Sequence, residues 1–497
     1  MKKLLSFTAV GFLLLALSAA VAPAWAADVD TRIQALEDEL IRLKSEQAQV
    51  KSEQIEIRRE ARAAEAALPT FTYRPGSGMT VEAADKAWAI TFSVEAHYRM
   101  LFETGRDDAG RTNGEVMGRR FRLQNTYCVN NCFYEISLRL DLDGFATNSP
   151  LQRGAFFMHL EQISPWLPTF YGGMDIPTSI GEFREGGEGR PFAEFDLLNR
   201  ATFNTGSSSQ GIGLNWDDKD LDWIGIPGRI KRINLAMAAV SQAGDGRSSF
   251  TDHKDFVAYM GVEPFAKLES KWLNGFAFDA GGWFCNNDPR AVANHDGCTE
   301  LRIRDSGDGG RQTLFTSPGS GKGMVQLINT GASYKVGPFQ ITGNHAWWRA
   351  NADQQTEDGS PGRKRATSWF VSPQIWLWSP KGLFTGSDRT TGSLLFASKF
   401  ERTNASCGFK NCDATVGASG EFSRNRILVR EWDIFYWIAP RASIGLNFIW
   451  YDAANVPSNS SRNLSCGRQV SSGTIHIGKA GAGCDWLDIM LNLRWGF

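Results

Sequence analysis

After residue 26 the chain has no apolar run near the roughly 20 residues a membrane-crossing helix needs, so any membrane passage must be made by strands. Charge of one sign is missing too. Lys and Arg number 53 against 54 Asp and Glu, and that balance excludes the basic excess expected of a nucleic-acid binder. Histidine is scarce, and His97, His159, His253, His295, His345 and His476 fall in no nucleophile, base and acid pattern. Cys-x-x-Cys and Cys-x-x-Cys-His spacings are absent, as is a phosphate-cradling Gly-x-x-x-x-Gly-Lys between strand and helix. The reading is therefore non-enzymatic, with no cofactor and no metal.

What is present begins with an export signal over residues 1–26. Lys2 and Lys3 precede an apolar run from Leu4 to Val21, and Ala24-Trp25-Ala26 forms a small-x-small cleavage site. In an exported chain, eight cysteines at short spacings favour disulfides over metal ligation. The local couples are Cys128 with Cys132, Cys285 with Cys298, Cys407 with Cys412, and Cys466 with Cys484; the first spans a tight turn and the others staple loops.

Residues 30–68 carry apolar side chains at steps of three and four: Ile33, Leu36, Leu40, Leu43, Val50, Ile57, Ala61, Ala64 and Leu68. Gln47 and Gln54 fill the remaining seam positions. With Glu, Lys and Arg on both flanks, the spacing predicts a helix that buries its stripe by self-association as a coiled coil. Pro69 ends it, and residues 69–88 read as a linker.

From residue 89 to 497 the period changes from helical to two. Sixteen candidate strands follow one another, from 90–103 to 485–497. In the third, Ile136, Leu138, Leu140 and Leu142 oppose Glu135, Ser137, Arg139, Asp141 and Asp143. The fifteenth sets Ala442, Ile444, Leu446, Phe448 and Trp450 against Arg441, Ser443 and Asn447. The last sets Leu487, Ile489, Leu491, Leu493, Trp495 and Phe497 against Asp488, Met490, Asn492, Arg494 and Gly496. The segments 254–263 and 425–438 alternate poorly. An even strand number, with connections alternately short and long, predicts an all-β transmembrane barrel of about sixteen antiparallel strands, apolar toward lipid and ionic toward an aqueous lumen.

Lumen chemistry should then rest on arginine, whose planar, permanently charged guanidinium suits anions. Arg120 and Arg122 alternate with Phe121 and Leu123 on the second strand, and Arg139 and Arg494 join them inside. Arg184, Arg190 and Arg200 lie on the glycine-rich, doubly charged connection 176–207, which either folds inward or stays a solvated outer loop. Glu135, Asp141, Asp143 and Asp488 share the lumen, so a salt-bridge lattice in the wall competes with an anion ladder.

Taken in order, signal, helix, linker and sixteen strands resemble the phosphate-selective porin O/P family. The residues carrying that resemblance are Gly118-Arg119-Arg120-Phe121-Arg122-Leu123, Tyr134 to Asp141, and Asn492 to Phe497. It implies a homotrimeric diffusion channel of the bacterial outer membrane, its coiled coil in the periplasm, an inward-folded third loop, and small anionic solutes such as phosphate. Dicarboxylate-channel porins are similar as well. The chain departs from the family in its cysteines and in its lysines, which are scattered as Lys254, Lys267, Lys322 and Lys410 in segments read as outer loops. A structural outer-membrane anchor and a sheath for a partner electron carrier are the other readings.

Overall fold

The computed structural model describes residues 26–74, 78–104, 113–142, 151–175, 209–239, 255–287, 301–304, 313–317, 323–355, 361–382, 390–407, 423–454, 469–471, 474–476 and 483–496. Residues 1–25 of the export signal, the connection 176–207 and Phe497 lie outside these residues.

Contacts divide the chain into two units, Met1–Leu68 and Pro69–Phe497. In the first, helix α1 runs Ala26–Ala67. It contains neither Gly nor Pro, is rich in the strong helix formers Ala, Glu, Gln, Arg and Leu, and stops just before Pro69. Leu36, Leu40, Leu43, Val50 and Ile57 are all more than half exposed. Within this unit the described residues of the stripe are therefore exposed.

The second unit is a closed barrel. Its sixteen strands are β1 Trp88–Thr104, β2 Asn113–Val129, β3 Tyr134–Asp141, β4 Leu151–His159, β5 Thr169–Asp175, β6 Ser209–Asp220, β7 Arg229–Ala239 and β8 Asp255–Glu263. Then come β9 Phe276–Asn287, β10 Gly323–Val336, β11 Phe339–Gln355, β12 Pro361–Trp378, β13 Leu394–Cys407, β14 Ser423–Ala439, β15 Ala442–Ala454 and β16 Gly483–Gly496. Each pairs antiparallel with the next, and β16 returns to β1 from Leu487↔Thr104 to Gly496↔Glu95. All sixteen expected strands are present, including the two that alternate poorly. In β8 both faces are apolar, Phe256 and Met260 outward and Val257 and Tyr259 buried inward, which hides the period; the register slip opposite Gly261 and Val262 leaves the extra residue, Lys231, on β7. In β14 the outward face itself carries Arg426 and Arg430 while Ile427 and Val429 face inward.

Exposure alternates along the strands and identifies the faces. On β16, Leu493 and Trp495 are exposed while Asp488, Met490, Asn492 and Arg494 are buried. On β1, Tyr98, Met100 and Phe102 point outward and His97, Arg99 and Leu101 inward. Polar side chains shelter inside and large apolar ones project outward, the reverse of a water-soluble sandwich and the pattern of a transmembrane β-barrel. Trp88, Trp166, Trp223, Trp378 and Trp495 are exposed at the end where the connections are short, as in an interfacial aromatic girdle.

At that short-turn end β2 and β3 are joined through Asn130, Asn131 and Cys132, all with positive φ (54°, 55° and 58°), and the Cys128–Cys132 disulfide spans the turn with its Cα atoms 4.4 Å apart. Asn tolerates this left-handed backbone better than most residues. The side chains of the other three couples lie outside the described residues.

Residues 69–88 are not a plain linker. Thr70–Arg74 and Gly78–Glu82 form a hairpin, with Phe71↔Val81 and Tyr73↔Met79 in register. Its second strand pairs with β1 from Met79↔Phe92 to Glu82↔Ala89, just beyond the stretch that β16 occupies. Phe71, Tyr73 and Val81 favour extended backbone, and Pro75-Gly76-Ser77 between them is turn material; these signals outweigh the linker composition. Two more small hairpins, Leu301–Arg304 with Thr313–Ser317 and Gln469–Ser471 with Thr474–His476, sit within the long connections.

Candidate functional site: the inward face of the barrel

Between β13 and β1 the inward side chains form a continuous polar ladder. Lys399 on β13 lies 3.2 Å from Glu431 on β14 and 4.0 Å from Glu401. Glu401 also accepts from Ser368 (3.2 Å) and Thr403 (3.1 Å). Two residues along β14, Asp433 accepts from Asn447 Nδ2 on β15, and Asn447 Oδ1 accepts in turn from Asn492 Nδ2 on β16. Asn492 Oδ1 then takes Arg99 Nε at 2.9 Å and lies 3.0 Å from His97 Nε2, both on β1. These groups are almost wholly buried, Asn492 to 0% exposure. Burying so many ions and amides costs several kcal/mol per unpaired charge, and the ladder offsets that by giving each group a partner in the next strand.

Apolar packing flanks the ladder. Toward the short turns, Trp376, Leu395, Ala397, Phe435 and Trp437 form a buried cluster, with the Trp376 and Trp437 rings 5.3 Å apart. Gly445 lies directly across from Phe435, and the ring covers the space a side chain there would occupy. Arg494 rests its guanidinium 4.7 Å from the centre of the same ring. Toward the long connections, Ile427, Val429, Ile449 and Tyr451 are buried. The inward face of β12–β16 is thus a packed surface rather than a wetted one.

Strands β2 to β4 differ. Arg122 stands 3.6 Å from Glu95, and Arg139 directs Nε and Nη2 to Gln124 Oε1 at 3.1 and 2.7 Å. Arg139 and Arg153 face each other in register across β3 and β4, both inward and both partly exposed. Like charges directly opposite on a sheet are destabilising. Arg153 places its guanidinium 5.0 Å from the Phe157 ring centre. Further round, Arg232 forks Asp217 at 2.5 and 3.1 Å, and Asn234 donates to Tyr171 Oη at 3.2 Å.

The short-turn rim is held by ion pairs. His159 bridges Glu161 (2.8 Å) and Glu135 (3.3 Å), and Thr169 donates to Glu161 at 2.8 Å. For Glu161, partial burial works against the carboxylate, but hydrogen bonds from His159, its own backbone N–H and Thr169 prevail and hold it below the usual range. Arg229 reaches Glu263 at 2.6 Å and Lys231 reaches it at 3.2 Å. Lys267 binds Asp222 and Asp220, and those bonds raise its ammonium above the ordinary lysine value. Lys267 therefore sits in the short β8–β9 connection, not in an outer loop: the segment before Phe276 is rim, because β8 ends at Glu263 and the chain turns there toward the short-turn side.

Of the arginines expected to line a pore, Arg122, Arg139 and Arg494 face inward, with Arg494 only 3% exposed and packed on Phe435. Arg120 lies on β2 opposite His97, but its side chain is outside the described residues, as are Arg184, Arg190 and Arg200 altogether. Arg99 and Arg153, inward on β1 and β4, escaped the reading from sequence. For Arg99 the signal is its even-odd position against the outward Tyr98 and Phe102; Arg153 shares parity with Phe157, an apolar residue that itself faces inward, so alternation by hydropathy points the wrong way there. Among the described residues no group of His, Cys, Asp and Glu is placed to hold a metal ion.

No family model matches this chain, and no curated protein matches it. Solved structures do. A loop L8 deletion variant of OmpT, an outer membrane protein of Vibrio cholerae, is 10% identical with a TM-score of 0.48, covering 83% of this chain and 100% of that one. OmpF of Salmonella typhi in complex with daunomycin is 12% identical with a TM-score of 0.44, covering 86% and 100%. The outer membrane channel DcaP of Acinetobacter baumannii is 8% identical with a TM-score of 0.42, covering 83% and 98%.

Proposed function

We propose that this chain is an outer-membrane porin, a passive diffusion channel whose path runs beside β2 to β4 and favours small anions such as phosphate. The observation that carries the anion preference is the placement of Arg139 directly across from Arg153, both facing inward and both partly exposed, unlike the sealed ladder of β13–β16. Each guanidinium presents paired donors in a planar fork, and two of them side by side on the inward face suit a passing anion. The porin reading rests on the two-faced wall: sixteen strands leave a lumen that eight would fill. The short-turn side faces the periplasm, which puts α1 and the hairpin there and the long connections outside. In this reading the uncovered stripe of α1 is buried by the same stripe of two further copies, giving a trimer.

Planar-bilayer reversal potentials across a salt gradient test the path. Arg139→Ala with Arg153→Ala lowers anion over cation permeability; an unchanged reversal potential removes these residues from the path, and an absence of any conductance step removes the channel reading. The packed inward face of β12–β16 favours a second reading, a structural anchor with little or no conductance. The same bilayer measurement separates the two.

A further inference from the structure

The outward face of β12–β14 breaks the barrel's own rule. Among side chains that project away from the lumen, Arg365, Arg402, Arg426 and Arg430 are exposed and carry positive charge. Arg402 pairs in register with Leu428, so Arg426 and Arg430, two residues to either side of Leu428, are its diagonal neighbours. Diagonal neighbours on a sheet stand roughly 7–8 Å apart at the backbone, within reach of long side chains. Among the described residues none of the four makes an ion pair. Arg402 Nε lies 3.4 Å from Asn404 Oδ1, and Arg430 lies 4.4 Å over the Trp450 ring. Asp452, opposite Leu428, is the one carboxylate described on this stretch of the outer face.

Height along the wall matters more than number. Arg402 is eight residues above Leu394, and Arg430 is nine above Ala439, at the short-turn ends of their strands. A tilted strand climbs about 2.5 Å per residue, so both stand about 20–25 Å above that end, at the far edge of a hydrocarbon band about 25 Å tall. Trp369, in register with Arg402, and Trp450, in register with Arg430, mark the same level. Arg365 and Arg426 stand higher. The arginines therefore crown the aromatic girdle on the side of the long connections, where lipid headgroups lie.

We infer that the outward arginines of β12–β14 form a binding site for a phosphate-bearing lipid of the outer leaflet, two or more guanidiniums gripping its headgroup phosphates above the Trp369 and Trp450 rings. This rests on the orientation proposed above, but not on conductance. Guanidinium forks match phosphate oxygens, and diagonal spacing lets one phosphate bridge two arginines. Left without an anion, cations at this height would repel one another beside lipid tails.

The test uses the full chain in neutral detergent, titrated with diphosphorylated lipid A and read by native mass spectrometry. Wild type is expected to bind at least about tenfold more tightly than the variant Arg365→Gln, Arg402→Gln, Arg426→Gln, Arg430→Gln, since several charge-assisted bonds are lost together. The dephosphorylated lipid should bind both proteins equally weakly, and inorganic phosphate should not compete. Should the fourfold variant fail to show a folded band on an unboiled gel, Arg402→Gln with Arg430→Gln takes its place. Equal affinity of wild type and variant overturns the proposal. So does equal competition by inorganic phosphate, which would make this a site for the free ion, and so does loss of oligomer with unchanged lipid binding, which would make it a contact between copies. Bilayer conductance of the variant, measured alongside, reports on the channel and leaves the lipid result unaffected.

Discussion

Replacing Asn492 by Leu should cut the polar ladder at its busiest rung. Its amide joins three strands: Nδ2 donates to Asn447 on β15, while Oδ1 accepts Arg99 Nε at 2.9 Å and lies 3.0 Å from His97 Nε2 on β1. Losing a hydrogen bond to a charged group costs about 1.5–3 kcal/mol and each neutral one about 1 kcal/mol. Asn492→Leu should therefore destabilise the barrel by about 3–5 kcal/mol, most of it from the buried guanidinium of Arg99. Urea unfolding in lipid vesicles, followed by tryptophan fluorescence, measures it. Asn492→Asp keeps the acceptor for Arg99 but turns the Asn447 contact from attraction to repulsion, so it should cost less than Leu. Combining Asn492→Leu with Arg99→Met should cost clearly less than the sum of the two single changes, since the stranded charge is gone. A loss below about 1 kcal/mol for Asn492→Leu, or strict additivity in the double variant, would refute the ladder as a source of stability.

At the β2–β3 turn, Cys128→Ser with Cys132→Ser should cost about 2 kcal/mol, the loop-closure value for so short a ring, checked by the same unfolding curves. Glu161 should make the β4–β5 turn acid-sensitive. Its folded-state value lies below its unfolded one, so its contribution is complete above the usual 4.5 and is lost as pH falls through the depressed value. Hydrogen exchange in residues 160–168 should rise over that acidic window in wild type and be already raised, and flatter with pH, in Glu161→Gln. Deleting residues 30–68 should lower the temperature at which oligomers dissociate on unboiled gels; an unchanged temperature assigns α1 another task.

Much of this architecture is legible in the chain because a lipid-facing wall needs period two with one apolar side, and that pattern survives in nearly every strand. Where it blurs, the cause is local. On β14, Arg426 and Arg430 stand outside while Ile427 and Val429 stand inside, so hydropathy runs against the face it belongs to. The inward direction of Arg122, Arg139 and Arg494 follows from alternation alone. Whether such a side chain is wet does not: Arg494 is sealed by Phe435, which depends on Gly445 leaving room for the ring across the strand pair. The hairpin at Thr70–Glu82 was hidden by the Pro-Gly-Ser run at its own turn, which read as the mark of a linker.

That hairpin bears on the order of assembly. It occupies β1 only from Ala89 to Phe92, leaving Glu95 to Thr104 for a strand that begins at Gly483. The two partners along this edge of β1 thus come from opposite extremes of chain separation: the hairpin is a few residues away, whereas the His97 to Asn492 contact spans 395 positions. Local pairing is fast and distant pairing slow. The hairpin can therefore secure the short-turn foot of β1 early, while the rest of that edge stays available for the final strand. Closure of the wall is then the pairing made at the greatest separation along the chain, beside a foot of β1 that its own near neighbour already holds.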